Sequence, residues 1–468
     1  MAIIEGRSAQ GRWVLTAAAL GSGVAFLDGT VVNIALRVIG TDLGATLTEL
    51  QWVVNAYLLT LSALILVGGS LGDRFGRRRI FLWGVGGFAI ASVLCALAQS
   101  PGQLIAARLV QGVFGALLTP GSLALLQASL RPEDRARAIG QWSGLTSVAI
   151  VAGPLVGGWV LEVGSWRWIF WINVPLAAAV LAIALRHVPE SRDEEARAGA
   201  VTRFDGPGAL ASALALAGVT YALTESGEGS PVTLIAAGAV GLAAAVAFVV
   251  LERRTEAPLM PLELFGDRVF SVVNAMTLLV YGALGATTFF VTLQLQVSTG
   301  MTPLEAGLAT LPISGLLIVL SGRSGALATR IGPRVQLTVG PLLCGVGTLM
   351  LVPVGEGTAY LTGVLPGLLV FGLGLVALVA PLTASVLAAT PDRHVGVASG
   401  INNAIARSGG LLAVAALPAA VGLTGDDYLS AAAFTPGYEA AQLICGVLLV
   451  AGGAVSFVGL RGTRQLVS

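Results

Sequence analysis

Long apolar stretches, each about as long as a membrane-spanning helix, follow one another along almost the whole chain. A helix needs about 20 predominantly apolar residues to cross the hydrocarbon core of a bilayer. The pattern therefore predicts an all-α integral membrane protein with fourteen transmembrane helices. These cover residues 12–36, 49–70, 80–98, 102–127, 137–161, 168–186, 207–225, 231–250, 269–295, 303–324, 336–354, 360–388, 397–422 and 439–460.

The positions of the arginines agree with this prediction. If the N-terminus is cytoplasmic and successive loops alternate sides, 22 of the 26 arginines fall in cytoplasmic segments. Arg37 and Arg167 fall on the other side, while Arg108 and Arg407 lie within helices. Since positive residues are retained on the cytoplasmic side of a membrane, we expect a multi-pass protein of the cell (inner) membrane with both termini in the cytoplasm.

Composition excludes most other classes of protein. The chain is 55% apolar and 11% charged, whereas soluble domains carry about 25% charged residues. Its net charge of +1 gives no basic field for nucleic acid. Cys95, Cys344 and Cys445 each stand in an apolar stretch, so neither a metal site nor a disulfide framework is expected.

A short polar motif occurs twice and divides the chain into similar halves. Residues 69–78 follow the second apolar stretch, and residues 325–334, which share Gly, Leu, Arg, Gly and Arg in register, follow the tenth. Transporters are often built from such repeats, with the substrate site near the midplane where the halves meet. The predicted layout is an N-terminal six-helix half (1–186), a cytoplasmic linker (187–206), a two-helix insertion (207–250) and a C-terminal six-helix half (251–468).

The first copy of this motif has the residues of a conformational lock. Its glycines allow close helix approach, and its aspartate ends a helix where it can pair with arginines across the seam between the halves. Such a pair would hold one conformation and break in the other. The alternative is an ordinary arginine-rich cytoplasmic loop. The candidate lock residues are Gly69, Asp73, Arg74, Gly76 and Arg77.

The same segment resembles the loop motif of the major facilitator superfamily, Gly-x-Leu-x-Asp-Arg-x-Gly-Arg-Arg, at every key position. Residues 27–36, 51–57 and 108–112 are similar to helix signatures of its fourteen-helix drug:proton antiporter family, although Phe114 stands where a small residue is usual. The resemblance implies the fold of that superfamily and proton-driven export of hydrophobic, often cationic, compounds. The residues that resemble its antiporter motif, which is associated with exporters, are Gly153, Pro154, Gly157 and Gly158.

Asp28 is the only acidic residue inside a predicted helix, and its position points independently to proton coupling. A charged aspartate at mid-bilayer costs at least ~2.5–3.5 kcal/mol, so such residues usually face a bundle interior or an aqueous cavity. A carboxyl group that conformational change moves between apolar and cation-bearing surroundings can load and release a proton. Arg108 does not titrate, and its positive charge is expected to bias the protonation of this carboxyl group. The alternative for Asp28 is a role in helix packing.

A line of polar side chains on the ninth stretch predicts a substrate cavity. Its members recur at steps of three and four residues and share one helix face. These side chains would either face a water-filled cavity or form hydrogen bonds to neighbouring helices. The second and thirteenth stretches contribute further candidates. The predicted cavity residues are Gln51, Asn55, Tyr57, Asn274, Thr277, Tyr281, Thr288, Thr292, Asn403 and Arg407.

The sequence thus predicts a proton-coupled exporter (antiporter) of hydrophobic small molecules, cations among them, that works by alternating access. It would act as a monomer and need only substrate, protons and the lipid bilayer. No cofactor is expected, because no phosphate-binding loop is present and the proton gradient would supply the energy. No catalytic constellation is found, so it is not expected to be an enzyme. The alternatives are a carrier of lipids or metabolites with other or no ion coupling, and a non-transporting membrane sensor.

Overall fold

The computed structural model describes residues 4–191, 205–390 and 394–461, and this part of the chain is helical, without a β-sheet. Most of the predicted linker lies outside the described residues. Each predicted apolar stretch overlaps one long helix. In chain order these are α1 (Ala9–Leu43), α2 (Leu47–Phe75), α3 (Arg77–Leu97), α4 (Pro101–Ser129), α5 (Pro132–Val163), α6 (Trp168–His187), α7 (Gly206–Thr224), α8 (Pro231–Arg254), α9 (Arg268–Val297), α10 (Pro303–Ile331), α11 (Pro333–Met350), α12 (Tyr360–Ala388), α13 (Val395–Ala420) and α14 (Ala431–Gly459).

Eleven helices in the described part of the chain are long and apolar enough to cross a membrane. The three long helices outside that set are α5, α11 and α13, for which membrane crossing stays a prediction. Several helices exceed the predicted apolar stretches, since a helix can continue past the hydrocarbon. For example, α1 runs on to Leu43 and ends at Gly44, whose φ of +61° favours glycine.

The sequence repeat has a counterpart in the local structure of α2 and α10. Both helices begin with a capping box, formed by Thr46 with Glu49 in α2 and by Thr302 with Glu305 in α10. Both end at the glycine of the repeated motif, with φ of +111° at Gly76 and +81° at Gly332. Only glycine adopts these angles without strain, so the motif stops two helices in the same way.

Helix packing partners also recur between α1–α6 and α9–α14. In the first set α2 and α3 pack on α4, and α1 packs on α5 and α6. In the second set α10 and α11 pack on α12, and α9 packs on α13 and α14. We call these two sets the N bundle and the C bundle.

The two bundles are hydrogen-bonded to each other at the end where α1 ends and α2 begins, which we call the closed end. There Arg37 donates to the carbonyl oxygen of Gln296 at 2.6 Å, and the Gln296 amide donates to the carbonyl oxygen of Ile34 at 3.0 Å. Tyr428, in the turn before α14, donates to the carbonyl oxygen of Ala45 at 2.7 Å. Burial raises the pKa of the Tyr428 hydroxyl, so it remains a donor at neutral pH.

Glycines bring α5 and α10 into direct backbone contact near the closed end. A Cβ atom on Gly158 would lie 2.5 Å from the Cα atom of Leu304, and one on Gly307 would collide with the carbonyl oxygen of Pro154. Farther along α10, Gly315 and Gly322 have open space beside them. The two helices therefore touch near the closed end. Toward the opposite end, α10 has no close neighbours beside Gly315 and Gly322.

Helices α7 and α8 form a hairpin beside the seam between the bundles. Helix α7 packs on both α2 and α13, whereas α8 packs mainly on α7. Near the tip, Glu225 accepts a hydrogen bond from the Trp52 indole at 2.7 Å, and Glu228 accepts one from the backbone of Gly425 at 2.9 Å. The hairpin is thus fastened to both bundles at the closed end.

We predict that Gly307→Ala weakens the closed end, because the added methyl group meets the carbonyl oxygen of Pro154. Overpacking of this kind typically costs about 1–3 kcal/mol, which would favour separation of α5 from α10. Distances between spin labels on exposed Val163 and Leu308 should lengthen. Gly315→Ala on the same helix is the matched control and should leave them unchanged. Equal distances in both variants would contradict the prediction.

Candidate functional site

Asp28 lies in the middle of α1 and is 1% exposed. Its Oδ2 atom forms a short ion pair with the Arg108 guanidinium of α4. Its Oδ1 atom accepts hydrogen bonds from the Gln111 and Asn173 amides, both at 2.9 Å. Three polar contacts of this kind are those expected of a charged carboxylate, because its charge would otherwise be costly in this setting.

Arg108 is held as tightly as its partner and is likewise 1% exposed. Its Nε atom donates to the carbonyl oxygen of Val53 at 3.0 Å, and its Nη1 atom also donates to Gln111 at 2.6 Å. The Tyr57 ring lies 4.4 Å from the guanidinium carbon and adds a cation–π contact. Removing one member of a buried pair typically costs 3–5 kcal/mol, since the remaining charge is left uncompensated.

Three polar residues complete the surroundings of Asp28, and sequence reasoning did not assign them to the site. The Ser92 hydroxyl accepts from Gln111 at 2.9 Å and from Asn173 at 3.3 Å. Gln111 stands three residues after Arg108, so their shared helix face was an available signal. Asn173 and Ser92 lie on other helices, α6 and α3, and only the tertiary packing brings them to the carboxylate.

This arrangement can couple a proton to a change of conformation. If Asp28 took up a proton, Arg108 would be left buried with a full positive charge and no anionic partner. That state is unfavourable in a medium of low dielectric constant. Protonation would therefore favour a rearrangement that hydrates or pairs Arg108. In this conformation Asp28 is almost fully buried and has little direct contact with solvent.

Between the bundles, a second set of side chains lines open space. Arg407, midway along α13, lies over the Phe26 ring of α1 at 5.5 Å. Tyr281 and Arg407 are partly buried, and Thr288 and Asn403 are exposed. A cavity of about 80 Å³ adjoins Tyr281, Asn403 and polar neighbours on α12 and α13. Tyr281 and Asn403 thus border this cavity, Arg407 reaches the N bundle through Phe26, and Thr288 is exposed on α9.

The predicted cavity residues on α2 are enclosed instead. Gln51 is 2% exposed and donates to the carbonyl oxygen of Val414 at 2.8 Å, which joins the bundles at the closed end. Asn55 is fully buried. Tyr57 is covered by the Arg108 guanidinium. Gln51 thus joins helices, whereas the side-chain amide of Asn55 is buried without a hydrogen-bond partner among the described residues. In this conformation these three side chains do not border open space, and their place in a substrate cavity stays a prediction.

The polar line on α9 borders the open space only in its middle. Toward one end, Asn274 and Thr277 are buried and both accept hydrogen bonds from Asn402, at 3.0 and 3.1 Å. Toward the other end, Thr292 is 5% exposed. A helix that crosses a whole bundle meets other helices at both ends, so polar residues there bind helices rather than water. The prediction of a continuous cavity face is corrected to the segment around Tyr281 and Thr288.

The candidate lock residues lie at the end opposite the closed end. Asp73 pairs with Arg77, one helical turn away, at 2.7 Å. Arg74 lies over the Phe75 ring, with 5.3 Å from the guanidinium carbon to its centroid. Gly69 has open space beside it. Among the described residues, the ion pair of Asp73 is thus made within its own motif and not across the seam.

The predicted antiporter motif forms the contact of α5 with α1 and α10. A Cβ atom on Gly153 would collide with the Thr30 hydroxyl, and one on Gly157 would lie 2.9 Å from the Val31 Cγ1 atom. Gly158 and Pro154 form the contacts with α10 described above. Because Thr30 and Val31 closely follow Asp28 on α1, this packing fixes the helix that carries the buried carboxylate.

A larger cavity lies away from these groups. It measures about 330 Å³, is lined mainly by apolar residues of α10, α11 and α12, and includes Arg323, Ser324 and Gln336. None of the predicted site residues borders it. The described residues contain no cluster of three or more potential metal ligands.

Comparison with known proteins identifies the fold and family of the chain. The Major Facilitator Superfamily model matches residues 18–414. The Methylenomycin A resistance protein of Streptomyces coelicolor is 36% identical over 428 residues, covering 90% of this chain and 88% of that protein. The Tetracenomycin C resistance and export protein of Streptomyces glaucescens is 36% identical over 412 residues, covering 86% and 74%. The Multidrug resistance protein Stp of Mycobacterium tuberculosis is 36% identical over 407 residues, with the same coverages.

Solved structures with the same fold include two transporters of low sequence identity. A POT family transporter in complex with a thioalcohol conjugated peptide has a TM-score of 0.72 and 13% identity, covering 100% of this chain and 99% of that chain. A bacterial homolog of the human lysosomal transporter Spinster has a TM-score of 0.67 and 17% identity, covering 97% and 98%. At these identities the likeness concerns the fold alone.

We predict that Asp73→Asn alters conformational exchange with little effect on stability. The ion pair with Arg77 is partly exposed, and such pairs contribute about 0–1 kcal/mol. A lock that pairs Asp73 across the seam in the alternate state would nevertheless be weakened. Spin-label distances at both ends of the bundles measure the two populations. Glu263→Gln, which removes the exposed partner of His394, is the control. Unchanged populations in Asp73→Asn would exclude the lock.

We predict that cysteines on α9 react with small water-soluble thiol reagents only in its middle. Thr288→Cys and Tyr281→Cys should be labelled rapidly, because Thr288 is exposed and Tyr281 borders a cavity. Thr277→Cys and Thr292→Cys should react slowly, since both side chains are buried. Labelling would be followed by mass spectrometry after the native cysteines are replaced by alanine. Equal rates at all four positions would contradict the arrangement described here.

Proposed function

This chain belongs to the Major Facilitator Superfamily, and we propose that it is a proton-coupled exporter of hydrophobic small molecules that works by alternating access. The observation that carries the proposal is the buried ion pair of Asp28 and Arg108 inside a bundle of membrane-type helices. Intramembrane ionisable residues typically mark ion pathways and proton relays. The relatives reported above are named for antibiotic resistance, antibiotic export and multidrug resistance, which supports efflux as the direction.

Proton coupling follows from the electrostatics of this pair. In the conformation described here, Asp28 is charged and bound to Arg108 and two amides. Uptake of a proton from the side of the membrane opposite the cytoplasm would free Arg108 from its ion pair with Asp28. This would favour the alternate conformation. Return to the present conformation would restore the ion pair and expel the proton. Protons would then cross in exchange for substrate.

Alternating access is supported by the unequal ends of the molecule. Hydrogen bonds of Arg37, Gln51 and Tyr428 join the bundles at the closed end. The arginine-rich segments belong to the opposite end, which we assign to the cytoplasm because positive residues are retained there. Both termini would then be cytoplasmic, in a cell (inner) membrane. The space bordered by Thr288 and Asn403 would take up substrate from that side.

We propose that α5, α11 and α13 also cross the bilayer, which gives fourteen transmembrane helices. They contain 32, 18 and 26 residues, or about 48, 27 and 39 Å at 1.5 Å per residue. Each packs between helices that have the length and composition of membrane spans. The proposed layout is two six-helix halves with α7 and α8 as the inserted pair. A single chain contains both bundles and the site, so we expect a monomer to suffice.

Two alternative functions predict transport results that differ from those of this proposal. A carrier of lipids or metabolites without proton coupling would transport equally well without a pH gradient. A non-transporting sensor would give no flux in proteoliposomes. The buried Asp28 and the open space between the bundles favour the coupled exporter.

We predict that Asp28→Asn abolishes uphill efflux driven by a pH gradient while downhill exchange of substrate persists. Asparagine keeps the size and hydrogen bonding of the side chain but does not titrate. Proteoliposomes with an imposed pH gradient, loaded with a panel of fluorescent hydrophobic dyes, provide the measurement. Full pH-driven efflux by a folded Asp28→Asn protein would disprove the coupling role.

The control for this experiment is Asp42→Asn. Asp42 also pairs with an arginine, Arg167 at 2.9 Å, but it lies at the closed end and is half exposed. Its replacement should leave coupling intact. Because Asp28→Asn leaves Arg108 without its anionic partner, thermal unfolding and size-exclusion profiles must first establish that the variant is folded. Asp28→Glu, which can titrate, should retain part of the coupled transport.

A further inference from the structure

The space between the bundles contains a positive charge without a matching negative charge. Arg407 is partly buried in the middle of α13. Its recorded contact is with the Phe26 ring, and among the described residues no carboxylate lies within salt-bridge distance of its guanidinium. Arginine stays protonated in proteins. Its charge is therefore a fixed feature of the cavity.

Other charges at this depth cancel. Asp28 is the one acidic residue that the sequence places well inside a transmembrane stretch, and Arg108 neutralises it at short range. The side chains that line the adjoining cavity, Tyr281 and Asn403 among them, are uncharged. A molecule in the cavity thus meets a field dominated by Arg407.

Arg407 also lies where a substrate must pass. It belongs to the C bundle and contacts Phe26 of the N bundle, so it spans the gap between them. The Phe26 ring adds a partly accessible aromatic surface beside the guanidinium. Tyr281 borders the neighbouring cavity, which Ala406, the residue before Arg407, also lines. The combination is a cation with aromatic surface close to it.

We propose that the preferred substrates are hydrophobic anions: compounds with a flat apolar body and a carboxylate or another acidic oxygen. This rests on the proposed export function and defines its substrate class. The guanidinium fork matches a carboxylate in two parallel hydrogen bonds, and the aromatic rings contact the apolar body. A cationic compound would be repelled by Arg407 with no carboxylate free to offset it. The preference is thus opposite to the cationic substrates that the sequence resemblance implied.

Anionic substrates also suit the energetics of exchange. Export of an anion with import of a proton moves net positive charge into the cell. The membrane potential, negative inside, then adds to the pH gradient as a driving force.

Binding of three matched probes tests the proposal on the full chain in zwitterionic phosphatidylcholine nanodiscs. Dansyl-glycine is an anion, dansyl amide is neutral and dansyl-ethylenediamine is a cation, and all three share one aromatic body. Fluorescence anisotropy, corrected with empty nanodiscs, gives the dissociation constants. We expect dansyl-glycine to bind about tenfold or more tightly than dansyl amide, as a charge-assisted hydrogen bond in a confined site allows. The cation should bind weakest.

The variants assign this preference to Arg407. Arg407→Gln should remove the preference for the anion and leave binding of dansyl amide unchanged, which also shows that the variant is folded. Arg407→Lys should retain part of the preference. Arg323→Gln, an arginine at the cavity on the outer flank of the C bundle, is the matched control and should behave as wild type. Equal binding of the three probes, or a preference that survives in Arg407→Gln, would overturn the proposal.

Transport measurements separate this proposal from the export function. A pH gradient should drive efflux of dansyl-glycine from proteoliposomes, and a negative internal potential should increase it. If the anion preference depends on Arg407 but no probe is moved by the pH gradient, the proton-coupled function fails and the substrate class stands. If the gradient drives the cation better than the anion, the export function stands and the substrate class is wrong.

Discussion

The ion pair of Asp28 and Arg108 is the constraint on which the arrangement of the N bundle depends. Two opposite charges are stable inside an apolar bundle only when they are paired and their remaining hydrogen-bonding atoms are satisfied. Helix α1 supplies the carboxylate, α4 supplies Arg108 and Gln111, and α6 supplies Asn173. These helices are therefore held at fixed positions by one polar cluster, and a proton on Asp28 would alter all of them together.

The two contacts between the bundles differ in chemistry, and the difference bears on how they separate. Hydrogen bonds to backbone carbonyls, such as that of Gln51 to Val414, join α2 to α13. Glycine-mediated backbone contact joins α5 to α10 at Gly158 and Gly307. Neither of these two contacts contains a charged side chain, whereas Arg37 and Arg407 make further contacts between the bundles. The hairpin of α7 and α8 adds a brace at the same end through Glu225 and Glu228.

In the proposed function, the distribution of charge between the bundles would combine proton coupling with substrate choice. The N bundle holds a neutral pair that a proton can break, and the C bundle holds Arg407, whose charge is constant. In the proposed cycle the ion pair of Asp28 and Arg108 controls conformation, and Arg407 attracts the substrate. Because Phe26 lies two residues before Asp28 on α1 and contacts Arg407, occupancy of the cavity can influence the helix that carries the titrating group.

The sequence by itself determined the helical class, the repeat and the two charged residues buried in the N bundle, Asp28 and Arg108. The lengths of the apolar stretches, the positions of the arginines and the isolation of Asp28 can all be read along the chain. None of them requires knowledge of how the helices pack. The sequence did not determine which polar residues face the cavity. Thr277 and Thr288 share one line on α9, yet Thr277 binds Asn402 and Thr288 is open. Only the tertiary structure decides this, because a polar side chain looks the same in sequence whether it meets water or another helix.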